Sequence, residues 1–559
     1  MKTLPFAPVG PTPSARQLEW YGRGATAFFH FGINTFTDME WGDGTEDPAL
    51  FNPTELDCRQ WIRTIKAAGF TAAILTAKHH DGFCLWPSAY TEHSVKNSPY
   101  KNGKGDIVRE FTDACREEGI KAGLYLSPWD RHEPTWGTPE YDAFYVGQLT
   151  ELFSNYGEIY ECWWDGAGSD KAHYDWQKWA DLVHTLQPNA LIFAPLPMTD
   201  TAEARWVGNE VGYAGLPCYA TITPEKLTGP YSEHRAFLIN GERDGTRYIP
   251  AEADVSIRPG WFYHASQDGM VRSPKNLTDL WFHSTGRGAG LLMNFPPDKR
   301  GLLHEKDVAS LTEFGKALAE DLAKNLASGA TVSASSVRHD GFAPEGILTS
   351  EGYAPCDGDI LPTVTLTFPT PVTFNTFTVR EALPLGHRVF GFSVEARIAG
   401  EWRPLLGGEV IGALCARRFP TVTADALRLT VTDAVAEPVL HGLGLYFFRK
   451  MSEKENAFRQ NLADWSATYT AEGDTATIRL CGIFPYSLLL HTDCEGVRRI
   501  ALDVFDGTEF VPYTEVEHDG SEVFEYRFPE VIDYSYQLRI RFLDYEGRTL
   551  GERKRPILY

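Results

Sequence analysis

Two carboxylates stand in settings suited to chemistry. Asp165 closes an apolar run and follows two tryptophans in IYECWWDGAG, and Glu210 ends the word RWVGNE about 45 positions later. An acid among aromatic walls is costly to desolvate unless it meets a developing positive charge, and an oxocarbenium-like centre supplies one. One carboxyl group to attack the anomeric carbon or activate water, and a second to protonate the leaving oxygen, are the minimum equipment for glycoside hydrolysis. Mutual repulsion across such a pair favours keeping a proton on one member, whose raised pKa then makes it the acid. Most of the 75 acidic residues are surface groups or strand-end caps, and it is the tryptophan and glycine neighbours that set these two apart.

Other polar words could serve the same site. KHHDGF carries His79 and His80, which suit either zinc ligation or hydrogen bonding to sugar hydroxyls. Adjacent side chains at a strand end point to opposite faces, so the spacing argues against one shared ion and favours the hydroxyls, with a satisfied core histidine as the rival for one of the two. EWGDGTED puts Glu40 and Trp41 in a glycine-rich loop, a stacking surface beside a hydroxyl acceptor. DGTED lacks the oxygen-ligand spacing of an EF-hand. No GxSxG elbow, P-loop or HExxH occurs. Carboxylate chemistry requires no cofactor and no metal, and activity is expected to survive chelation.

These residues need a frame that gathers strand ends on one face. Over the first 326 residues apolar runs alternate with amphipathic ones: ATAFFHFGI, WIRTIKAAG, FTAAILTAKH, IVREFTDACREEG, IKAGLYLSP, and onward through EIYECWWDG, ALIFAPL, RWVGNE, DVSIRP and GAGLLMNFPP. This is βαβα wording with about eight or nine strand candidates, and it predicts a (β/α)8 barrel with His30, His79, His80, Tyr125, Asp165 and Glu210 at strand ends. A doubly wound sheet would show a GxGxxG turn after its first strand, which FFHFGINTF lacks. Residues 327–449 turn to short alternating runs such as TVTLTFPTPVTFNTFTVRE and ALRLTVTDA, a β-sandwich; 450–559 open on the charged, helix-like KMSEKENAFRQN and become all-β again, a second sandwich.

The formal charge of −23 repels phosphate backbones and anionic headgroups, which excludes nucleic acid and acidic membranes as expected partners. The opening MKTLPFAPVGPTPSARQLEW has no apolar h-region, so as it stands the chain is expected in the cytoplasm, or outside it if a signal has been removed. Nine widely spaced cysteines without a CxxC pair indicate neither a disulfide nor a zinc framework.

FFHFGINTF, EWGDG, KHHDGFCLW, GLYLSPWDRH, ECWWDGAGSD, RWVGNE, DVSIRPGWFYH and LLMNFPPDKRG, in that order from about residue 20 to 320, resemble the family 29 glycoside hydrolases, the retaining α-L-fucosidases. The resemblance implies Asp165 as nucleophile and Glu210 as acid/base of the branch preferring α1,3/α1,4 linkages in Lewis-type glycans. It implies that His30, Glu40, His79 and His80 bind fucose hydroxyls, that Trp41 and Tyr125 line the same pocket, that Trp163 sits close to the reacting sugar, that Arg205 is a charge partner near the acid, and that Trp261 is a wall against the fucose methyl. Asp130 and His132 are expected toward the sugar beyond the scissile bond, and fucosylated glycans are the expected partners. ASGATVSASSVR and LHGLGLYFF resemble a discoidin-type module, but CDGDILPTVTLTF lacks its usual aromatic, which implies a brace for the barrel. Two rivals remain: a carbohydrate-binding protein on an inactive barrel, and hydrolysis of a related sugar such as an α-L-galactoside.

Overall fold

The run AAILTAK is buried at every position, the pattern of a parallel strand covered on both faces. The computed structural model describes residues 4–168, 172–196, 199–228, 234–339 and 341–448, then 465–471, 474–481, 484–492, 494–505, 510–518, 520–521, 523–528 and 537–556. In it AAILTAK is β2 (Ala72–Lys78) of an eight-stranded parallel sheet with β1 (Ala25–Phe29), β3 (Lys121–Leu126), β4 (Glu161–Trp163), β5 (Leu191–Phe193), β6 (Arg205–Trp206), β9 (Ala251–Ser256) and β10 (Gly290–Asn294). The strand order is β5-β4-β3-β2-β1-β10-β9-β6, and β7 (Thr221–Ile222) pairs separately with β8 (Arg247–Tyr248). The seam is bridged where Phe193 pairs with Ala204 and the Glu203 N–H donates to the Ile192 carbonyl at 2.8 Å. The expected barrel is therefore present.

Helices alternate with the strands: α1 (Ala15–Gly22) precedes β1; α2 (Ile33–Thr37) and α3 (Cys58–Ala67) lead to β2, α4 (Ile107–Glu118) to β3, α5 (Tyr141–Asn155) to β4 and α6 (Trp176–Leu186) to β5; α7 (Arg235–Asn240) lies between β7 and β8, α8 (Pro274–His283) leads to β10, and α9 (Glu305–Leu322) follows it. α4 shows why they form. Ile107, Val108, Phe111, Ala114 and Cys115 recur at helical spacing and are buried against the barrel. Asp106 accepts the Arg109 N–H at the N-cap, worth about 1 kcal/mol, and Gly119 ends the helix in the left-handed region at φ 70°. The strand words of the sequence are longer than the strands: only three residues of IYECWWDG and two of RWVGNE stay in the sheet, so Asp165 and Glu210 lie on the loops that leave it.

Beyond the barrel, β11 (Thr331–Ala334), β12 (Thr363–Glu381), β13 (Val389–Ile398), β14 (Glu401–Gly408), β15 (Cys415–Ala434) and β16 (Leu440–Tyr446) form a six-stranded antiparallel sheet. Breaks in register along β12 and β15 bend these long strands around a core that includes Val364, Leu366, Phe374, Phe377 and Leu429. The sheet grips the barrel: Arg418 pairs with the buried Asp279 of α8 over the ring of Phe282, and His387 Nε2 accepts the Ala220 N–H at 3.0 Å. Barrel and sheet form one compact unit, 1–208 with 214–449, and a second consists of 209–213 with 450–559.

In the second unit β17 (Trp465–Ala471), β18 (Asp474–Cys481), β19 (Phe484–His491) and β22 (Phe524–Arg527) make one antiparallel sheet, and β20 (Arg499–Phe505), β21 (Phe510–Glu517), β23 (Gln537–Leu543) and β24 (Thr549–Pro556) another. The helix-like stretch 450–461 lies outside the described residues. Among the described residues no helix is long and apolar enough to cross a membrane.

Candidate active site

Parallel registry carries several of the expected residues to one mouth of the barrel. Phe28 pairs with Asn294 and Tyr125 with Trp163, while His30, His79, His80 and Asp165 leave the same ends of β1, β2 and β4. The Tyr125 ring stacks with His79 at 5.7 Å and with Trp163 at 5.4 Å. Its hydroxyl donates to Asp165 Oδ2 at 3.0 Å, and the Ala167 N–H donates to Oδ1 at 2.8 Å, so the carboxylate is aimed by a strand on one side and by its own loop on the other. Its side chain remains 26% exposed, open to a ligand.

Hydrogen bonds fix which lone pairs face the pocket. Ser127 Oγ gives its proton to the Trp129 carbonyl at 2.6 Å, so at 2.7 Å from His80 Nδ1 it accepts. Burial holds the His80 ring down to about 4 despite the nearby Asp165, so the ring is neutral and Nε2 presents a lone pair 3.7 Å from Asp165 Oδ2. Two acceptors facing each other call for a donor between them. His30 is built the same way: Asn294 Nδ2 donates to Ser256 Oγ and to the Trp261 carbonyl, leaving Oδ1 to accept from His30 Nδ1 at 3.0 Å. Burial lowers His30 to about 3, and His79 is also held well below the usual imidazole range by burial and its histidine neighbours. A pocket of neutral imidazoles around a carboxylate selects a ligand rich in hydroxyl donors.

The walls are anchored from below and from the side. Trp163 stacks on Phe193 at 4.2 Å and 5°, and its indole N–H donates to Glu252 Oε2 at 3.0 Å. Glu252 shares the barrel interior with Glu161, and burial first, then the charge of Glu252, pushes Glu161 up, while burial raises Glu252 to about 7. Glu40 accepts the N–H of Trp261 at 2.8 Å and of Phe262 at 3.1 Å, and His264 bridges Glu40 at 2.6 Å to Asp38 at 2.8 Å. A Cβ at Gly260 would stand 2.3 Å from Glu40 Oε1 and would have to displace that carboxylate. The Trp261 ring then lies 5.0 Å from His30, and Trp41, 51% exposed, stands edge-on to His80 at 5.6 Å.

Four expectations meet a different arrangement. His79 and His80 do not diverge: β2 ends at Lys78, alternation ends with it, and the two rings lie 4.1 Å apart on one side. Arg205 is no pocket charge, since it is fully buried and donates to the carbonyls of Leu238, Ile249 and Tyr219. Glu40 acts first on the protein, clasping the Trp261 loop. Asp130 is buried in an ion pair with Lys78 at 2.7 Å, and His132 stacks on His93 while bonding the Gly44 carbonyl. Glu210 follows β6 by four residues, half-buried in a turn closed by Asn209, whose side chain bonds the Tyr213 carbonyl and the Val211 N–H. Ser127, Glu252, His264 and Asn294 were not singled out from sequence; Asn294 and His264 lie inside LLMNFPP and GWFYH, whose polar residues among aromatics were the available signal.

The Alpha-L-fucosidase family model matches residues 13–321. Alpha-L-fucosidase 1 of Arabidopsis thaliana is 42% identical over 466 residues, 80% of this chain and 90% of that one. Among solved structures, a glycoside hydrolase family 29 member from an unknown rumen bacterium is 35% identical, with a TM-score of 0.72 over 93% of this chain and 94% of its own. A family 29 fucosidase of Ruminococcus gnavus in complex with fucose is 30% identical, with a TM-score of 0.74 over 80% and 97%. With the barrel and the carboxylate-centred mouth described, the chain belongs to the glycoside hydrolase family 29 α-L-fucosidases.

Proposed function

We propose that the chain is a retaining exo-α-L-fucosidase that releases α1,3- and α1,4-linked fucose from branched, Lewis-type oligosaccharides. What carries the reading is Asp165, held by Tyr125 and Ala167 and surrounded by imidazole acceptors at the barrel mouth. In the first step Asp165 attacks the anomeric carbon while Glu210 gives its proton to the leaving oxygen, forming a fucosyl ester. In the second, Glu210 takes a proton from water, the oxygen of that water attacks the same carbon, and Asp165 leaves as carboxylate; two inversions preserve the α-configuration. A retaining pair stands about 5 Å apart in the reacting complex. The neutral rings of His30, His79 and His80 accept from the sugar hydroxyls, and Trp261 supplies the apolar wall for the methyl group. The branch preference is supported by the word RWVGNE.

The test is release of free fucose from a Lewis-type trisaccharide and from 2'-fucosyllactose by wild type, Asp165→Ala and Glu210→Ala. Hydrolysis of the trisaccharide alone, lost in both variants, is the expected result. Binding of fucose without release from either glycan would assign the fold to a carbohydrate-binding role, and faster release of L-galactose from matched substrates would reassign the sugar.

A further inference from the structure

The geometry points to a second ligand for this pocket: the acceptor atoms of His79, His80 and Asp165 form a site for a divalent transition-metal cation of the zinc type, which competes with the sugar. One ligand atom from each of the three residues lies within 4.8 Å of the other two, and His80 Nε2 is 3.7 Å from Asp165 Oδ2. A tetrahedral zinc ion, with bonds of about 2.0–2.1 Å, separates its ligands by roughly 3.4 Å, so small side-chain rotations close the triad. The usual objection to neighbouring histidines fails here, because both follow the end of β2 and their rings lie on one side.

The surroundings resemble the supporting contacts of a metal centre. His80 donates Nδ1–H to Ser127 Oγ, which fixes its tautomer and turns Nε2 toward the carboxylate, the role an outer partner plays for a ligating histidine. His79 is buried and its Nδ1 has no hydrogen-bond partner among the described residues. Two imidazoles with one carboxylate suit zinc, cobalt or nickel, whereas magnesium and calcium prefer oxygen ligands. Such an ion occupies the carboxylate that the proposed mechanism needs, so it inhibits rather than assists. Chelation then leaves the enzyme active, and added zinc slows it in competition with substrate. The competition rests on the proposed function; the metal site itself does not.

Equilibrium dialysis of the metal-free full chain against Zn2+, with Mg2+ in parallel, tests the site, and the visible spectrum of the Co2+ form reports its coordination. Zinc is expected to bind at one equivalent with magnesium excluded, and affinity is expected to fall at least about tenfold in His79→Gln, His80→Gln and Asp165→Asn. Circular dichroism melts establish that each variant is folded. Zinc binding that survives all three substitutions, or no binding by the folded wild type, overturns the site. L-Fucose is expected to displace the metal. If zinc binding is lost in the variants yet unaffected by fucose, the metal site stands, and both the competition and the sugar reading of this pocket fall.

Discussion

The indole N–H of Trp163 donates to Glu252 Oε2 at 3.0 Å, so a wall of the pocket rests on a carboxyl group inside the barrel. The neighbouring Glu161 is buried beside it, which ties the ring at the mouth to a pair of acids whose pKa values burial raises, Glu252 to about 7. Glu252→Leu removes the acceptor and frees the indole, and kcat/KM is expected to fall about tenfold, the worth of one buried hydrogen bond. Glu252→Gln retains an acceptor and is expected to restore most of it. Equal loss in both variants would show that charge, not the indole contact, is what matters.

The same pair makes stability fall as pH rises toward neutrality. A carboxyl whose folded pKa is raised contributes most below its unfolded value and loses that contribution as pH rises through the folded value. For Glu252 the window runs from its ordinary 4.5 to about 7, a shift worth on the order of 2–4 kcal/mol. The melting temperature is expected to decline across that window, and Glu252→Gln, which removes the titrating carboxyl, is expected to flatten the decline. A melting profile that is level from pH 5 to 8 in wild type would contradict this.

Tyr125→Phe tests how Asp165 is aimed. The substitution deletes only the hydroxyl donated to Oδ2 and leaves the ring stacked with His79 and Trp163. A hydrogen bond to a charged group is worth about 1.5–3 kcal/mol, so a drop of roughly 10–100-fold in kcat is expected with little change in melting temperature. Full activity in the folded variant would make the Ala167 N–H sufficient on its own.

The barrel and the setting of Asp165 were legible for physical reasons that do not extend to the rest of the site. Parallel strands covered on both faces read as apolar runs, so AAILTAK and GLLMN are visible, and Asp165 shows itself by following two tryptophans. The shared side of His79 and His80 was hidden because a rule of alternation holds only while the strand lasts, and β2 stops at Lys78. The place of Arg205 as a charge partner of the acid came from the resemblance alone, whereas its partners are carbonyls at 219, 238 and 249, brought near only by the fold. Glu40 looked like a hydroxyl acceptor, and its clasp on the Trp261 loop depends on a histidine more than two hundred residues away. Tautomers such as that of His80 follow from distances to Ser127 and Trp129, which no spacing encodes.

The loop that carries Trp261 is expected to respond to pH through His264. Burial alone would lower this imidazole, but its bonds to Glu40 and Asp38 outweigh burial and hold it above the usual value. A histidine raised in this way supplies its stabilisation fully below its unfolded value and loses it as pH climbs through the folded value. KM for a fucoside is therefore expected to rise above neutral pH as the clasp weakens, with kcat less affected. In His264→Gln the clasp no longer titrates, and KM is expected to be higher and flat with pH. An unchanged slope in that variant would move the titration to another group.

Arg205→Leu separates a framework role from a place in the pocket. Its guanidinium is fully buried and holds three main-chain carbonyls around β6, the strand that leads to Glu210. Removing it strands those carbonyls without donors, a loss of about 1–3 kcal/mol for each unsatisfied group. The variant is expected to melt several degrees lower. Because the side chain faces these carbonyls and not the sugar, KM at a temperature where the variant is folded is expected to stay near the wild-type value. A large rise in KM without loss of stability would return Arg205 to the pocket, and would mean that its carbonyl contacts give way when substrate binds.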